Sequence, residues 1–276
     1  MEKISKNVYV EASGRGCNHS FVVTKEGVVT IDTPMFPADG ATWREEIAKF
    51  GPVRYMINTE PHVDHISGNY LFDAPLIGHE GTRKAILESS VDQYREMLKR
   101  TDPQATVPAD FRFRPSDITL SQRLTFYLGE HTFELINMPG HTPFQVPVYV
   151  PEERVVFTSD NVTNGVPPFM HQALPYEWLE SLKKLQMLDV DWLVPGHGAI
   201  CTRGHLTEMI SIIQGAIDAV STAVKRGMGV AEAQEKVALF PTFPKNERLQ
   251  MVQRAAIARL YDVMKPKRSW ELNPKS

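Results

Sequence analysis

The chain has 276 residues, 42% hydrophobic and 23% charged, enough to bury one large core or two small ones. Thirty Lys and Arg against 33 Asp and Glu leave a formal net charge of −3, which offers no electrostatic footprint for nucleic acid. Two cysteines, Cys17 and Cys201, cannot build a disulfide framework or a thiolate zinc knuckle. The first residues lack the apolar run of a signal peptide, and no stretch approaches the ~20 apolar residues that span a bilayer. A soluble cytoplasmic protein is expected, with no nucleic-acid or membrane partner.

In chain order, His19–Thr24 and Gly27–Ile31 are β-branched runs separated by the hairpin-like Lys25-Glu26-Gly27. Proline stops the second run at Asp32-Thr33-Pro34. Residues 40 to 50 read as helix, and Val53–Asn58 as a strand running into Thr59-Glu60-Pro61-His62-Val63-Asp64-His65. From Glu80 to Arg100 the apolar residues Ile86, Leu87, Val91, Tyr94 and Leu98 recur at helical spacing. Thr101–Ile118 holds three prolines and no period, which predicts a surface loop. Strands follow at Leu124–Leu128, Thr132–Ile136, Gln145–Val150 and Arg154–Thr158, then a helix at Glu177–Leu188 and a last strand at Asp191–Val194. The remainder is helical: Met209, Ile213, Ile217, Val220 and Val224 share one face, and Leu249, Val252, Ala256 and Val263 another.

Strands thus come in two blocks, each followed by helix, with hairpins inside the blocks. That pattern predicts an α/β fold of two mixed sheets packed together with helices outside. No solenoid repeat and no glycine-rich phosphate loop interrupts it.

The chemistry lies in where histidines and carboxylates fall. Glu60, His62, Asp64 and His65 follow one predicted strand, and His141 follows another in Met138-Pro139-Gly140-His141. Asp160 and His197 mark two further strand ends, in Thr158-Ser159-Asp160-Asn161 and Val194-Pro195-Gly196-His197. One histidine beside a strand is usually structural, and an acidic residue there often caps a helix. Four strand ends so equipped are hard to assign to chance, because loops beyond strand ends are where α/β folds assemble sites. The glycines beside His141 and His197 are expected to let the backbone bend. Imidazoles with carboxylates suit zinc, iron or manganese. Seven such groups exceed one four-coordinate ion and fit two ions sharing a carboxylate.

These motifs resemble the metallo-β-lactamase superfamily, whose hallmark is His-x-His-x-Asp-His followed by a distant His, Asp and His. The match covers roughly residues 8 to 200, in the family's order and with its preceding aspartate, here Asp32. The resemblance implies an αββα sandwich over residues 1–203, with residues 204–276 a helical extension packing on it or on a partner subunit. It further implies a first metal site of Glu60, His62 and His141. A second would comprise Asp64, His65 and His197, with Asp160 bridging and Asp32 bracing the metal loops. Two divalent ions are expected, zinc first, with iron and manganese as rivals.

The departure is Glu60, where the family pattern has histidine. It can ligate directly, point away and leave the site weakened, or accept protons beside the metal; direct ligation is the favoured reading. Two histidines and a carboxylate also form the ligand set of non-haem iron oxygenases. The family implies a metal-dependent hydrolase of a small ester, lactone, thioester or amide, β-lactams included, with Asp64 orienting or relaying the proton. An iron oxygenase on the same fold is the alternative. Around the cleft, Met35, Phe36 and the stretch Asn164–His171 with Phe169 and His171 are candidate walls. Arg112 and Arg114 are a less favoured lid. His19, His79, His131 and His205 have no motif context and are expected to be structural. The apolar helical faces after Gly204 are also a candidate homodimer surface.

Overall fold

A computed structural model describes residues 1–12 and 15–264; the end of the expected extension, 265–276, lies outside them. The chain opens with β1 (Glu2–Lys3), β2 (Val8–Glu11), β3 (His19–Thr24) and β4 (Gly27–Ile31), then α1 (Pro37–Ala48) and β5 (Val53–Ile57). The short α2 (Val63–Ile66) leads to β6 (Leu76–His79), α3 (Glu80–Leu87), α4 (Val91–Thr101) and β7 (Ile118–Leu120). The second block holds β8 (Arg123–Leu128), β9 (His131–Ile136), β10 (Val148–Val150) and β11 (Val155–Asn164), then α5 (Pro175–Gln186) and β12 (Trp192–Gly198). Three helices close the chain: α6 (His205–Lys225), α7 (Val230–Lys236) and α8 (Glu247–Met264).

Strands β1 to β7 lie side by side in sequence order, and the other sheet runs β12-β11-β10-β9-β8. Both sheets are mixed: β4 to β7 pair in parallel, as do β11 and β12, and the remaining pairs are antiparallel. Alternation along each strand sorts residues between two faces. On β3, Val22 joins the apolar layer between the sheets, where it meets residues such as Phe133 and Val148. Its neighbour Phe21 faces outward into the cluster of Trp43 and Ile47 under α1. On the far side, Val156 and Leu193 lie under α5, α6 and α8. The layers are therefore helix, sheet, sheet, helix.

The apolar stripes of the extension are used within the chain. Met209, Ile213, Ile217 and Val220 of α6 and Leu249, Val252 and Ala256 of α8 are buried in one cluster with Trp178 of α5. No helix among the described residues is long and apolar enough to cross a membrane.

Several boundaries differ from the sequence expectation. The helix expected over 80–100 is two, because Ser90 caps α4 by accepting from the Gln93 amide and so restarts the helix. The loop expected over 101–118 ends in β7, which pairs with β6 at the sheet edge. Strands β1, β2 and β6 were not expected, because at two to four residues each is too short for a pattern to stand out. β11 and β12 run past their expected ends, through Asp160 and His197, because shifts of register let a polar segment stay paired. Gln145–Val150 shortens to Val148–Val150, since Pro147 has no amide to donate.

One polar cluster ties the N-terminal strands to the second sheet. Glu153 accepts from Ser5 Oγ (2.6 Å), from the Asn7 side chain (2.7 Å) and backbone (3.0 Å), and pairs with His131 at 2.8 Å. Burial works against the charged carboxylate, but these bonds outweigh it and hold Glu153 at about 2. A depressed carboxylate contributes stability above its unfolded value, and that stability is lost as pH falls from there through about 2. Glu153→Gln is therefore expected to lower stability at neutral pH by roughly 2 kcal/mol. It should also flatten the acid limb of the stability curve; an unchanged limb, measured by denaturant titration at each pH, would contradict the assignment.

Candidate metal centre

The fold brings all seven expected ligands to one end of the sandwich. Glu60, His62, Asp64 and His65 leave β5 and run into α2, His141 sits beyond β9, and Asp160 and His197 lie on the paired ends of β11 and β12. Ligand atoms of Glu60, His62 and His141 lie within 4.8 Å of one another, as do those of Asp64, His65 and His197. Asp160 reaches both groups. Its Oδ2 is 3.2 Å from His197 Nε2 and 3.6 Å from His141 Nε2, and its Oδ1 is 3.3 Å from His65 Nε2.

Glu60 does not point away. Its side chain is fully buried, with Oε2 2.9 Å from His62 Nδ1 and Oε1 3.0 Å from His65 Nε2. It stands at the floor of the centre, whereas Asp64 lies at its rim, 3.3 Å from His197 Nε2.

The second nitrogen of every imidazole is taken. His65 Nδ1 meets Asp32 Oδ2 (2.8 Å), His141 Nδ1 the Phe169 carbonyl (2.6 Å), His197 Nδ1 the Gly16 carbonyl (3.0 Å), and His62 Nε2 the Gln172 Oε1 (3.1 Å). These partners only accept, so each outer nitrogen carries the proton and each inner nitrogen turns a lone pair inward. The inner nitrogens face carboxylate oxygens, and His141 Nε2 also lies 3.2 Å from His62 Nδ1. Both Glu60 oxygens, His65 Nε2 and Asp160 Oδ1 are buried without a hydrogen-bonding partner. Buried acceptors opposed in this way are costly unless a cation lies between them. The donor set therefore fits divalent metal, with outer partners of the kind that orient metal-bound histidines.

Electrostatics agree. Burial opposes ionisation of Asp160, yet His197 and His65 hold it well below the usual carboxylate range. Burial likewise disfavours a charged His62, but the Glu60 carboxylate outweighs it and raises the group to about 9. The carboxylates thus draw positive charge to the inner nitrogens, where a proton and a divalent ion compete for the same lone pair. Cys17, behind His65 and near Asp32, is different: burial pushes its thiol up to about 12, so it remains a neutral packing residue at neutral pH.

The scaffold is strained where it holds these groups. Asp32 and Ser159 both adopt left-handed backbone angles, φ 56° and 52°, at a cost on the order of 1 kcal/mol each. Thr59 links them. Its amide and hydroxyl donate to Asp32 (2.8 and 2.5 Å), and the hydroxyl shares a hydrogen bond with Ser159 Oγ at 2.7 Å. Gly140 and Gly196 serve close approach, since neither has a positive φ, whereas Gly198, on the other side of His197, turns the chain at φ 87°. A Cβ on Gly196 would sit 1.8 Å from Asp160 Oδ1, and one on Gly140 would sit 2.2 Å from Asn161 Oδ1.

A cleft of about 400 Å³ opens over the centre, lined by Asp64, His62, His141, Asp160 and His197 together with Met35, Phe169 and His171. Phe36 is buried beneath Arg15 instead of lining it. Arg114 is no lid: it donates to the Phe72 and Ala74 carbonyls (2.8 and 2.7 Å) and pairs with Asp117. Four histidines are structural, as expected. His19 packs on Trp43, His79 caps α3, His131 holds Glu153, and His205 bonds the Thr163 carbonyl. Sequence reasoning missed Gln172, which carries no motif signal, and Met97 and Arg248, which line the cleft from α4 and α8.

Comparison with known proteins agrees with this geometry. Residues 12–197 match the model of the metallo-beta-lactamase superfamily. The chain is 23% identical over 259 residues to a linear primary-alkylsulfatase from Pseudomonas sp., covering 78% of this chain and 49% of that protein. It is 27% identical over 183 residues to 2,4-dinitroanisole O-demethylase subunit alpha from Nocardioides sp., covering 62% and 49%. The chain thus spans about half the length of either relative. The stereoselective inverting sec-alkylsulfatase Pisa1 from Pseudomonas sp. shares the fold, with a TM-score of 0.72 at 15% identity over 99% of this chain and 52% of that one. The chain belongs to the metallo-β-lactamase superfamily.

Proposed function

We propose that the chain is a metal-dependent hydrolase that binds two divalent ions, zinc first. The substrates proposed are small esters, lactones, thioesters or amides. The observation that carries this is the set of inward lone pairs and unpartnered carboxylate oxygens around Glu60, His65 and Asp160. Glu60, His62 and His141 would hold one ion, Asp64, His65 and His197 the other, and Asp160 would touch both. Bound there, divalent ions bring a water's pKa towards neutrality and polarise the bond under attack.

The protein's own groups do the rest. Asp64, at the rim and exposed to the cleft, orients the attacking water and takes its proton. Asp32 keeps His65 in one tautomer, and Gln172 does so for His62. The buried floor of Glu60 and His65 excludes bulk water from the inner face. The alkylsulfatase and O-demethylase relatives extend a substrate screen to sulfate esters and aryl ethers. A second reading follows from Glu60, since His62, His141 and Glu60 form a two-histidine, one-carboxylate set. Iron in the purified protein with oxygen consumption coupled to product would favour that oxygenase.

Elemental analysis of protein purified without chelator tests the proposal. Wild type is expected to carry two zinc or manganese ions per chain, falling towards one in Glu60→Ala. His62→Ala and Asp160→Ala are each expected to lose metal and hydrolysis together; turnover by a metal-free His62→Ala protein would end the mechanism. Gln172→Ala should weaken metal binding at the first site about tenfold in a competition titration while the fold persists. Unchanged affinity would show that Gln172 does not orient His62.

A further inference from the structure

The cleft has a wall that the metal centre does not use. Met35, Val63, Met97, Val166, Pro167 and Phe169 make it apolar on the sides away from the ligands. Into this wall α8 projects Arg248 from its first turn. Its guanidinium lies 6.0 Å from the Phe169 ring, a contact that steadies a planar cation over an aromatic face.

Among the described residues Arg248 makes no hydrogen bond or ion pair, in contrast to Arg15 and Arg114. Arg15 pairs with Asp39 and Asp102, and Arg114 with Asp117. Arg248 is also the sole guanidinium or ammonium among the described residues lining the cleft.

Three carboxylates, Glu60, Asp64 and Asp160, converge on the metal centre, one more than the family pattern brings, so the ions' charge is more fully offset. An anionic group remote from the scissile bond therefore finds its partner at α8.

We propose that Arg248 is a specificity-determining residue that selects substrates with an apolar body and a distal carboxylate or comparable anion. The reaction is taken from the hydrolase proposed above, whereas the binding preference stands without it. The anion engages the guanidinium in a forked, charge-assisted contact, the body lies along the apolar wall, and the reacting group faces Asp64 and Asp160.

Two non-hydrolysable ketones of matched length test this by calorimetry on the zinc-loaded protein: 6-oxo-6-phenylhexanoate and neutral hexanophenone. Wild type is expected to bind the anionic ketone about tenfold more tightly, with a preference that shrinks as salt rises. Arg248→Gln should reduce that preference to less than twofold, and Arg248→Lys should restore part of it. Equal binding of the two ketones by wild type, or an undiminished preference in Arg248→Gln, would overturn the assignment. In the second case the anion would be sitting on the metal ions. Monophenyl adipate and phenyl hexanoate then report turnover, with the KM advantage of the adipate lost in Arg248→Gln. Failure to hydrolyse either ester, with the Arg248-dependent ketone preference intact, would overturn the hydrolase reading and leave this one standing.

Discussion

Everything at this site depends on buried carboxylates facing buried imidazole lone pairs. Glu60, Asp160 and His65 leave four buried polar atoms without hydrogen-bonding partners. Alone, such an arrangement is among the most expensive a fold can hold. It persists because the outer shell leaves the side chains no alternative. The Asp32 carboxylate, the Phe169 and Gly16 carbonyls and the Gln172 amide oxygen each take the proton-bearing nitrogen of one ring. The rings cannot flip without breaking those bonds, so the lone pairs stay aimed inward and the demand for a cation is built in.

That geometry requires the two sheets to be offset in role. The first contributes a loop of closely spaced ligands after β5, the second contributes isolated ligands on β11 and β12, and Asp160 stands where the two meet. Thr59 ties the halves together by bonding Asp32 of one and Ser159 of the other. Both partners sit at left-handed backbone angles, so a small conformational cost is spent to bring their side chains into register. Bulges in β11 serve the same end, since they turn Asp160 towards the centre while pairing with β12 continues.

The sequence disclosed this site well because ligands must be chemically specific and closely spaced. Glu60, His62, Asp64 and His65 fall within six consecutive positions, and no packing rule produces that pattern. The sandwich was legible for a related reason: strands such as His19–Thr24 and Gly27–Ile31 are β-branched and nearly all buried. Edge strands were harder. β1 is exposed and only Leu120 of β7 is buried, and two or three residues are too few to show a period. The outer shell was almost invisible, because it relies on backbone carbonyls and on Gln172, whose role exists only once the chain has folded. The meaning of Gly196 was likewise hidden, since a close approach to Asp160 leaves no trace in local sequence.

The division of labour between the strands and the C-terminal helices has a physical basis. Metal ligands need positions fixed to a fraction of an ångström, and sheet ends braced by Asp32 and Thr59 provide that rigidity. Selecting a substrate tolerates more slack and benefits from a long, mobile side chain at the cleft edge. Arg248 supplies it from the first turn of α8, which is anchored by Leu249, Val252 and Ala256 in the core it shares with α6. Because Arg248 is exposed at the first turn of α8 while those anchors are buried, the residue at position 248 can vary without disturbing the packing or the metal centre. Chemistry and selectivity are thereby set by different segments of the chain, so a change in one need not unfold the other.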